Sequence, residues 1–131
     1  MKIALIAHDA KKQLMQNLCI AYRLLLIKHE ICATQTTGRL VEEAAQLSVK
    51  KFLAGHLGGV QQICAEIEAN EIDLVIFLHD SVTRKNNDPN PSNIMKLCDM
   101  HNIPIATNLA TAEILIRALD RGDLDWREMY R

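Results

Sequence analysis

Aromatic residues are scarce in this chain, which has two Phe, two Tyr and one Trp among its 131 residues. Few side chains are therefore available for stacking on bases, and a net charge of −1 supplies no basic field for a phosphate backbone. We expect no nucleic acid partner. Hydrophobic residues make up 49% of the chain, so the core has to be built from Ile, Leu, Val, Ala and Met. The length suits one domain spanning residues 1–131.

The sequence also lacks Cys-x-x-Cys pairs and long apolar runs. Its four cysteines, Cys19, Cys32, Cys64 and Cys98, are widely separated, which does not suit a zinc site, and we expect no metal. Three of them fall at apolar positions of predicted helices or strands, which predicts buried, reduced thiols. No apolar run reaches the ~20 residues that cross a bilayer, and residues 1–7 do not resemble a signal peptide. We therefore expect a cytoplasmic protein with no membrane partner.

Short apolar segments alternate with longer segments of helical periodicity. The predicted strands are residues 3–7, 30–34, 50–54, 74–78 and 103–106, and the predicted helices are residues 11–28, 40–47, 60–68, 93–101 and 110–119. This alternation is typical of βαβ units and of a parallel sheet covered on both faces. We predict a three-layer α/β fold, a doubly wound, five-stranded parallel sheet similar to the Rossmann fold. Residues 83–92 are predicted as the longest loop. For the charged tail 121–131, the sequence allows two alternatives, docking on a neighbour or fraying.

Polar or glycine residues follow each predicted strand, at residues 8–9, 34–38, 55–59, 79–80 and 107–108. Because ligands of parallel α/β sheets bind beyond the carboxyl ends of the strands, these segments predict a small-molecule site. Residues 34–38, Thr-Gln-Thr-Thr-Gly, could donate backbone N–H and hydroxyl groups to a phosphate, and Lys12 could add a positive charge. One of these threonines could equally be a simple helix N-cap.

Taken together, these segments resemble motifs of the methylglyoxal synthase family. Residues 6–9, Ile-Ala-His-Asp, followed by Lys12, resemble its opening motif, and residues 33–38 resemble its Ala-Thr-Gly-Thr-Thr-Gly motif with Gln35 in place of a glycine. Residues 54–62, Ala-Gly-His-Leu-Gly-Gly-Val-Gln-Gln, resemble its Ser-Gly-Pro-hydrophobe-Gly-Gly-Asp-Gln-Gln loop. Residues 73–80 and 102–112 resemble its fourth and last strands. The chain is identified as a member of this family over roughly residues 2–117.

The resemblance implies a lyase that converts dihydroxyacetone phosphate to methylglyoxal and inorganic phosphate without a cofactor, in an assembly that is typically a homohexamer. It implies a ligand that is a small phosphorylated metabolite or inorganic phosphate. It implies catalytic roles for His8, Asp9 and Asp80. The positions implied to bind substrate or phosphate are His8, Lys12, Thr34, Gln35, Thr36, Thr37, Ala54 and Gly55.

Three positions depart from the family motifs where protons would be transferred. Val60 stands where the family has the aspartate that acts as general base, Asn87 where it has a histidine that polarises the carbonyl, and Asn90 where it has a second acid. These side chains do not titrate near neutrality. A positioned general base contributes about 10²–10⁴-fold to a rate, so an active synthase would need another base.

Three hypotheses remain open for the function. The first is an active or altered synthase in which Asp9, His8, His56 or His79 removes the proton. His56 could instead be an exposed loop residue, and His79 could face the side of the sheet opposite to Asp80. The second is a catalytically impaired regulatory module that binds a phosphorylated metabolite. The third is different chemistry on another phosphorylated compound.

Overall fold

Five parallel strands form one sheet in the computed structural model, which describes residues 1–82 and 89–131. The strands are β1 (Lys2–Ala7), β2 (Glu30–Ala33), β3 (Val49–Lys51), β4 (Leu74–Leu78) and β5 (Ile105–Ala106). Their order across the sheet is β3-β2-β1-β4-β5. Strand β1 is central, and its Ile3 is paired with Ile31 on one side and with Leu74 on the other. The predicted doubly wound parallel sheet is confirmed.

Helices cover both faces of the sheet. One face carries α1 (Lys12–Ala21), α2 (Arg23–Leu26), α3 (Gln35–Ala45) and α6 (Leu109–Asp120), and the other carries α4 (Gly59–Glu68) and α5 (Ser92–His101). Side chains alternate along β1, so that Ile3 and Leu5 pack into the first core and Ala4 and Ile6 into the second. Every residue of β4, Leu-Val-Ile-Phe-Leu, is buried, as expected for a strand covered on both sides.

Helix α3 begins at Gln35, well before the predicted start at residue 40. Thr34 is extended, with φ −66° and ψ 158°, and its carbonyl accepts the first helical hydrogen bond from Gly38 N–H at 2.8 Å. A Cβ on Gly38 would lie 2.9 Å from Lys51 Cγ and 3.3 Å from Val49 Cγ1. The glycine therefore lets the helix pack closely on β3, and this tertiary contact outweighs its low helix propensity.

The predicted helix 11–28 is also divided. A 3-10 turn, Asp9–Lys11, precedes α1, and Tyr22, with φ −107° and ψ 22°, separates α1 from α2. The turn matters for function because it folds the start of α1 over the carboxyl end of β1.

The strand order reverses beside β1, because the chain adds β2 and β3 on one side and then returns to place β4 on the other. The backbone N–H of His8 donates to Leu78 O at 3.0 Å, directly beyond β1 and β4. His8 therefore marks the switch point, the place where doubly wound sheets usually bind ligands.

The tail packs against the opposite, amino-terminal end of the sheet. Its 3-10 helix, Asp125–Tyr130, buries Arg127, whose Nε donates to Asp73 Oδ1 at 3.0 Å. Asp73 also accepts from the Lys2 N–H at 2.9 Å and is paired with Arg131. We call Asp73, Arg127, Arg131 and the Lys2 amide the arginine clamp. The tail is therefore docked rather than frayed.

All four cysteines are buried, as predicted, and are free thiols. Burial raises the pKa of Cys19, Cys32 and Cys98 to about 12, which keeps these thiols protonated at neutral pH. Within residues 1–82 and 89–131, no helix combines the length and apolarity needed to cross a membrane. The same residues contain no group of three His, Cys, Asp or Glu side chains arranged to hold a metal ion.

Candidate anion-binding site

A cavity of about 180 Å³, the first cavity, opens where β1 and β2 end. Its wall combines strand ends, the first turn of α1, the start of α3 and the turn after β3. The residues that line it are Ile6, Ala7, Asp9, Lys12, Thr34, Thr36, Ala54, Gly55, His56 and Pro89. Segments that are distant in sequence therefore meet here because parallel strands end at the same side of the sheet.

Lys12 brings a positive charge to the first cavity. Its Nζ donates to Ala7 O at 2.9 Å and to Thr37 Oγ1 at 3.3 Å, and lies 3.5 Å from Asp9 Oδ1. The Lys12 side chain is 20% exposed and that of Asp9 is 51% exposed. An ammonium held mainly by neutral oxygens, next to open space, can pair with an anion that enters the cavity.

The start of α3 brings further hydrogen-bond donors to the cavity. Thr34 is the N-cap residue, but its hydroxyl makes no capping hydrogen bond within the described part of the chain. Thr36 lines the cavity, whereas Thr37 is fully buried against Lys12. Hydroxyl groups and the N–H groups of a helix N-terminus are common phosphate ligands.

The glycine-rich turn after β3 is fixed by close backbone packing. A Cβ on Gly59 would lie 1.8 Å from Leu53 O, and Gly58 has a φ of 105°, so both positions require glycine. The N–H of Gly59 donates to Ala54 O at 3.0 Å. This hydrogen bond holds Ala54 and Gly55 in the wall of the first cavity.

A second cavity of about 570 Å³ adjoins the first and shares Gly55, His56 and Pro89 with it. The rest of its wall consists of Gly58, Val60, Gln61, Cys64, Asn90, Asn93 and Ile94. Among the described residues that line it, none carries a carboxylate or an ammonium group. Burial raises the pKa of the Cys64 thiol, so this side chain is neutral as well.

Val60 lines the second cavity but not the first. Its side chain belongs to the core beneath α4 and α5, and it is 8% exposed. A Cβ placed on Gly55 would be 3.8 Å from Val60 Cγ2, so the isopropyl group packs beside the glycine that lines both cavities. Val60 therefore presents an aliphatic surface to the second cavity.

His8 lies behind the cavity wall and is fully buried. Its Nδ1 accepts from the Asp80 N–H at 2.8 Å, and its Nε2 is 2.7 Å from Pro89 O. Because a backbone N–H can only donate, Nδ1 is unprotonated and Nε2 donates to the carbonyl, which assigns the neutral Nε2–H tautomer. Both ring nitrogens are thus bonded to the backbone, and one of these bonds holds Pro89 in the wall of both cavities.

The other acid and base candidates are not equally close to the cavities. Asp80 is buried, and its Oδ1 accepts from the Val82 N–H at 3.0 Å. The His79 ring packs edge-on against the rings of Phe77 and His8, with centroids 6.0 Å and 5.9 Å away. His56 is exposed and lines both cavities. Asn87 lies outside the described residues.

The structure brings six of the sequence-predicted residues into one wall, namely Asp9, Lys12, Thr34, Thr36, Ala54 and Gly55. Thr37 supports Lys12, and His8 and Asp80 lie behind the wall. Gln35 is exposed outside it, and its backbone N–H donates to Leu53 O at 3.3 Å. Sequence reasoning missed Asn93 as a wall residue, because its position depends on how α5 packs against α4.

Comparison with known proteins places these features in a family. Residues 16–107 match the family model described as MGS-like domain. The chain is 58% identical over 129 residues to methylglyoxal synthase of Caldicellulosiruptor saccharolyticus, which covers 98% of this chain and 92% of that protein. It is 57% identical over 131 residues to methylglyoxal synthase of Alkaliphilus metalliredigens, which covers 100% and 98%. The crystal structure of methylglyoxal synthase from Elizabethkingia anophelis NUHP1 superposes with a TM-score of 0.85 at 37% identity, covering 88% of this chain and 76% of that one.

Proposed function

We propose a function from one premise, which is that this chain belongs to the family of MGS-like domains, with methylglyoxal synthases among its relatives. In this proposal the chain binds dihydroxyacetone phosphate, or a similar small phosphorylated ligand, with the phosphate in the first cavity. The observation that carries the proposal is the Lys12 ammonium, which bonds two neutral oxygens beside the start of α3 and has the partly exposed Asp9 carboxylate 3.5 Å away. A doubly charged anion is the natural partner for such a group.

The wall residues have separate roles in this proposal. Lys12 pairs with a phosphate oxygen, while the hydroxyls of Thr34 and Thr36 donate to the others. Thr37 positions the lysine through its hydroxyl. Gly55 permits close approach of the backbone to the ligand.

Three of the predicted binding positions have indirect roles in the proposal. Ala54 contributes its place in the cavity wall, and Gln35 contributes through the backbone at the start of α3. His8 acts as a positioning residue, because both of its nitrogens bond the backbone.

The proposed reaction forms methylglyoxal, the product that the name of these relatives gives, by eliminating phosphate. A base removes a proton from the hydroxyl-bearing carbon next to the ligand's carbonyl, and an enediolate forms. Its electrons then break the C–O bond to the phosphate, which leaves as inorganic phosphate, and the remaining enol takes up a proton at carbon to give methylglyoxal. Asp9 and His56 are the candidate bases because both line the first cavity. The proposal invokes no metal and no organic cofactor.

An assay of methylglyoxal release from dihydroxyacetone phosphate tests this proposal. We expect turnover, and we expect either Asp9→Asn or His56→Gln to reduce it by about 10²-fold or more. Asp120→Asn and His101→Gln are matched controls outside the cavities. Equal activity in all four variants would contradict the assignment of these bases.

A second candidate function is a binding module without turnover, and Val60 is the observation that favours it. Its buried isopropyl group offers no proton acceptor at the place where the family motif has its base. Saturable calorimetric binding of inorganic phosphate without methylglyoxal release would support this candidate. Gain of turnover in Val60→Asp would then identify an altered synthase site, and Val60→Asn is the uncharged control.

Three further expectations stay predictions. They are the homohexamer, the cytoplasmic location and the organisation of residues 1–131 as one domain. Light scattering of the purified chain tests the first, fractionation of cells the second, and a single cooperative unfolding transition the third.

A further inference from the structure

The second cavity is larger than a triose phosphate requires. The first cavity measures about 180 Å³ and the second about 570 Å³. A phosphate placed in the first cavity would leave only the short three-carbon part of dihydroxyacetone phosphate for the second, which is the larger of the two.

The second cavity offers hydrogen bonds without charge. Gln61, Asn90 and Asn93 contribute amide groups to its wall. Asn90 Oδ1 accepts from the Ser92 N–H at 2.9 Å, and Asn93 Nδ2 lies 3.8 Å from the Cys64 sulfur. Among the described contacts, these leave the Asn90 nitrogen and the Asn93 oxygen able to bond a ligand hydroxyl.

An apolar surface faces the same space. Val60 and Ile94 line the second cavity and both belong to the core beneath α4 and α5. A wall with amides on one part and aliphatic groups on another matches a polyol ring, which presents hydroxyls at its edge and C–H groups on its faces. A cationic organic group would find no carboxylate in the described wall and would lose hydration on entering.

We infer that the second cavity takes the organic part of a sugar phosphate larger than a triose, a pentose or hexose phosphate, while the phosphate occupies the first cavity. This inference rests on the proposed phosphate position. The shared residues Gly55, His56 and Pro89 form the junction across which such a ligand would lie. Val60 then serves as a specificity residue, because its isopropyl group supplies apolar surface to the sugar.

Calorimetry on the full chain tests the inference with four probes, namely inorganic phosphate, dihydroxyacetone phosphate, ribose 5-phosphate and glucose 6-phosphate. We expect at least one of the two larger sugar phosphates to bind about tenfold or more tightly than both smaller probes. The variant Asn93→Leu keeps the branched shape and the number of non-hydrogen atoms of the side chain and removes its amide. We expect it to weaken binding of the favoured sugar phosphate about 2- to 10-fold while leaving the Kd of inorganic phosphate unchanged.

The matched control is Asn17→Leu, because Asn17 is an exposed asparagine on α1 whose side chain bonds Gln13 outside both cavities. It should leave every Kd unchanged. Binding of inorganic phosphate with no gain for the larger probes would overturn the inference and leave the proposed function standing. Absence of phosphate binding would overturn both. A gain that survives in Asn93→Leu undiminished would also overturn the inference, because the amide wall would then have no role.

Discussion

Both ends of the sheet carry charged residues. At one end the charged side chains are buried and bonded to each other, and at the other they are partly exposed beside an open cavity. At the amino-terminal end, Asp73 is 0% exposed and Arg127 is 3% exposed, and they are held together by the arginine clamp. At the carboxyl end, Lys12 and Asp9 are 20% and 51% exposed beside an open cavity. A buried charge whose hydrogen bonds are all made within the protein stabilises the fold. A partly exposed charge beside an open cavity can instead exchange some of its contacts for contacts with a ligand.

Removal of the buried arginine should give the largest effect. Arg127→Met leaves the carboxylate of Asp73 with fewer partners in the interior, and we expect the free energy of unfolding to fall by about 3–5 kcal/mol. Urea denaturation measures it. Arg121→Met is the control, because its pair with Asp123 is exposed and its loss should change stability by less than about 0.5 kcal/mol. Similar stability of both variants would show that the clamp is not structural.

Loss of the exposed cation should affect binding instead. In Lys12→Met, we expect the Kd of inorganic phosphate to rise about 10- to 150-fold, since a hydrogen bond to a charged group contributes about 1.5–3 kcal/mol. Calorimetry measures it, with Lys28→Met as the control, because Lys28 is exposed and paired with Asp120. If Lys12→Met lost more stability than Arg127→Met, the proposed difference between the two ends of the sheet would be contradicted.

Asp73, at the amino-terminal end of the sheet, should also make stability depend on pH. Burial alone would raise the pKa of Asp73, but hydrogen bonds from Arg131, the Lys2 amide and Arg127 outweigh it and lower the pKa below its usual value. The stabilisation is therefore fully present above the unfolded value of about 3.9 and is lost as the pH falls through the lowered folded value. In acid titrations, the stability difference between the unmodified chain and Asp73→Asn should narrow below about pH 4. A difference that is constant with pH would contradict this.

The smallest expected effect concerns the support of Lys12. Thr37→Val keeps the shape of the side chain and removes the hydroxyl that lies 3.3 Å from Lys12 Nζ. We expect the Kd of phosphate to rise about 2- to 10-fold, the usual range for one neutral hydrogen bond. In the Lys12→Met background the same change should have no further effect on binding, because the group it positions is gone. Equal effects in both backgrounds would assign the hydroxyl a direct contact with phosphate.

Local sequence patterns predicted most of the fold and part of the site. The apolar segment 74–78 was predicted with its observed bounds. Lys12, Thr36 and Gly55 were expected in segments that follow strands, and all three line the first cavity. These predictions succeed because periodicity and strand ends are local properties of the chain. The early start of α3 was missed because a tertiary contact of Gly38 decides it.

Other features depend on contacts between distant segments. Arg127 pairs with Asp73 across 54 positions of the chain, and no pattern around either residue marks the partner. The buried imidazole of His8 bonds the backbone of residues 80 and 89, and no pattern around residue 8 marks these contacts. Long-range pairings of this kind follow from the assembled fold rather than from neighbouring residues.

The two hydrogen bonds of His8 also bear on which side chains this protein can accept at position 8. One imidazole links the Asp80 amide, directly after β4, to Pro89 in the wall of both cavities. Because the ring accepts at one nitrogen and donates at the other, a side chain without both groups would lose one of these contacts and change the outline of both cavities.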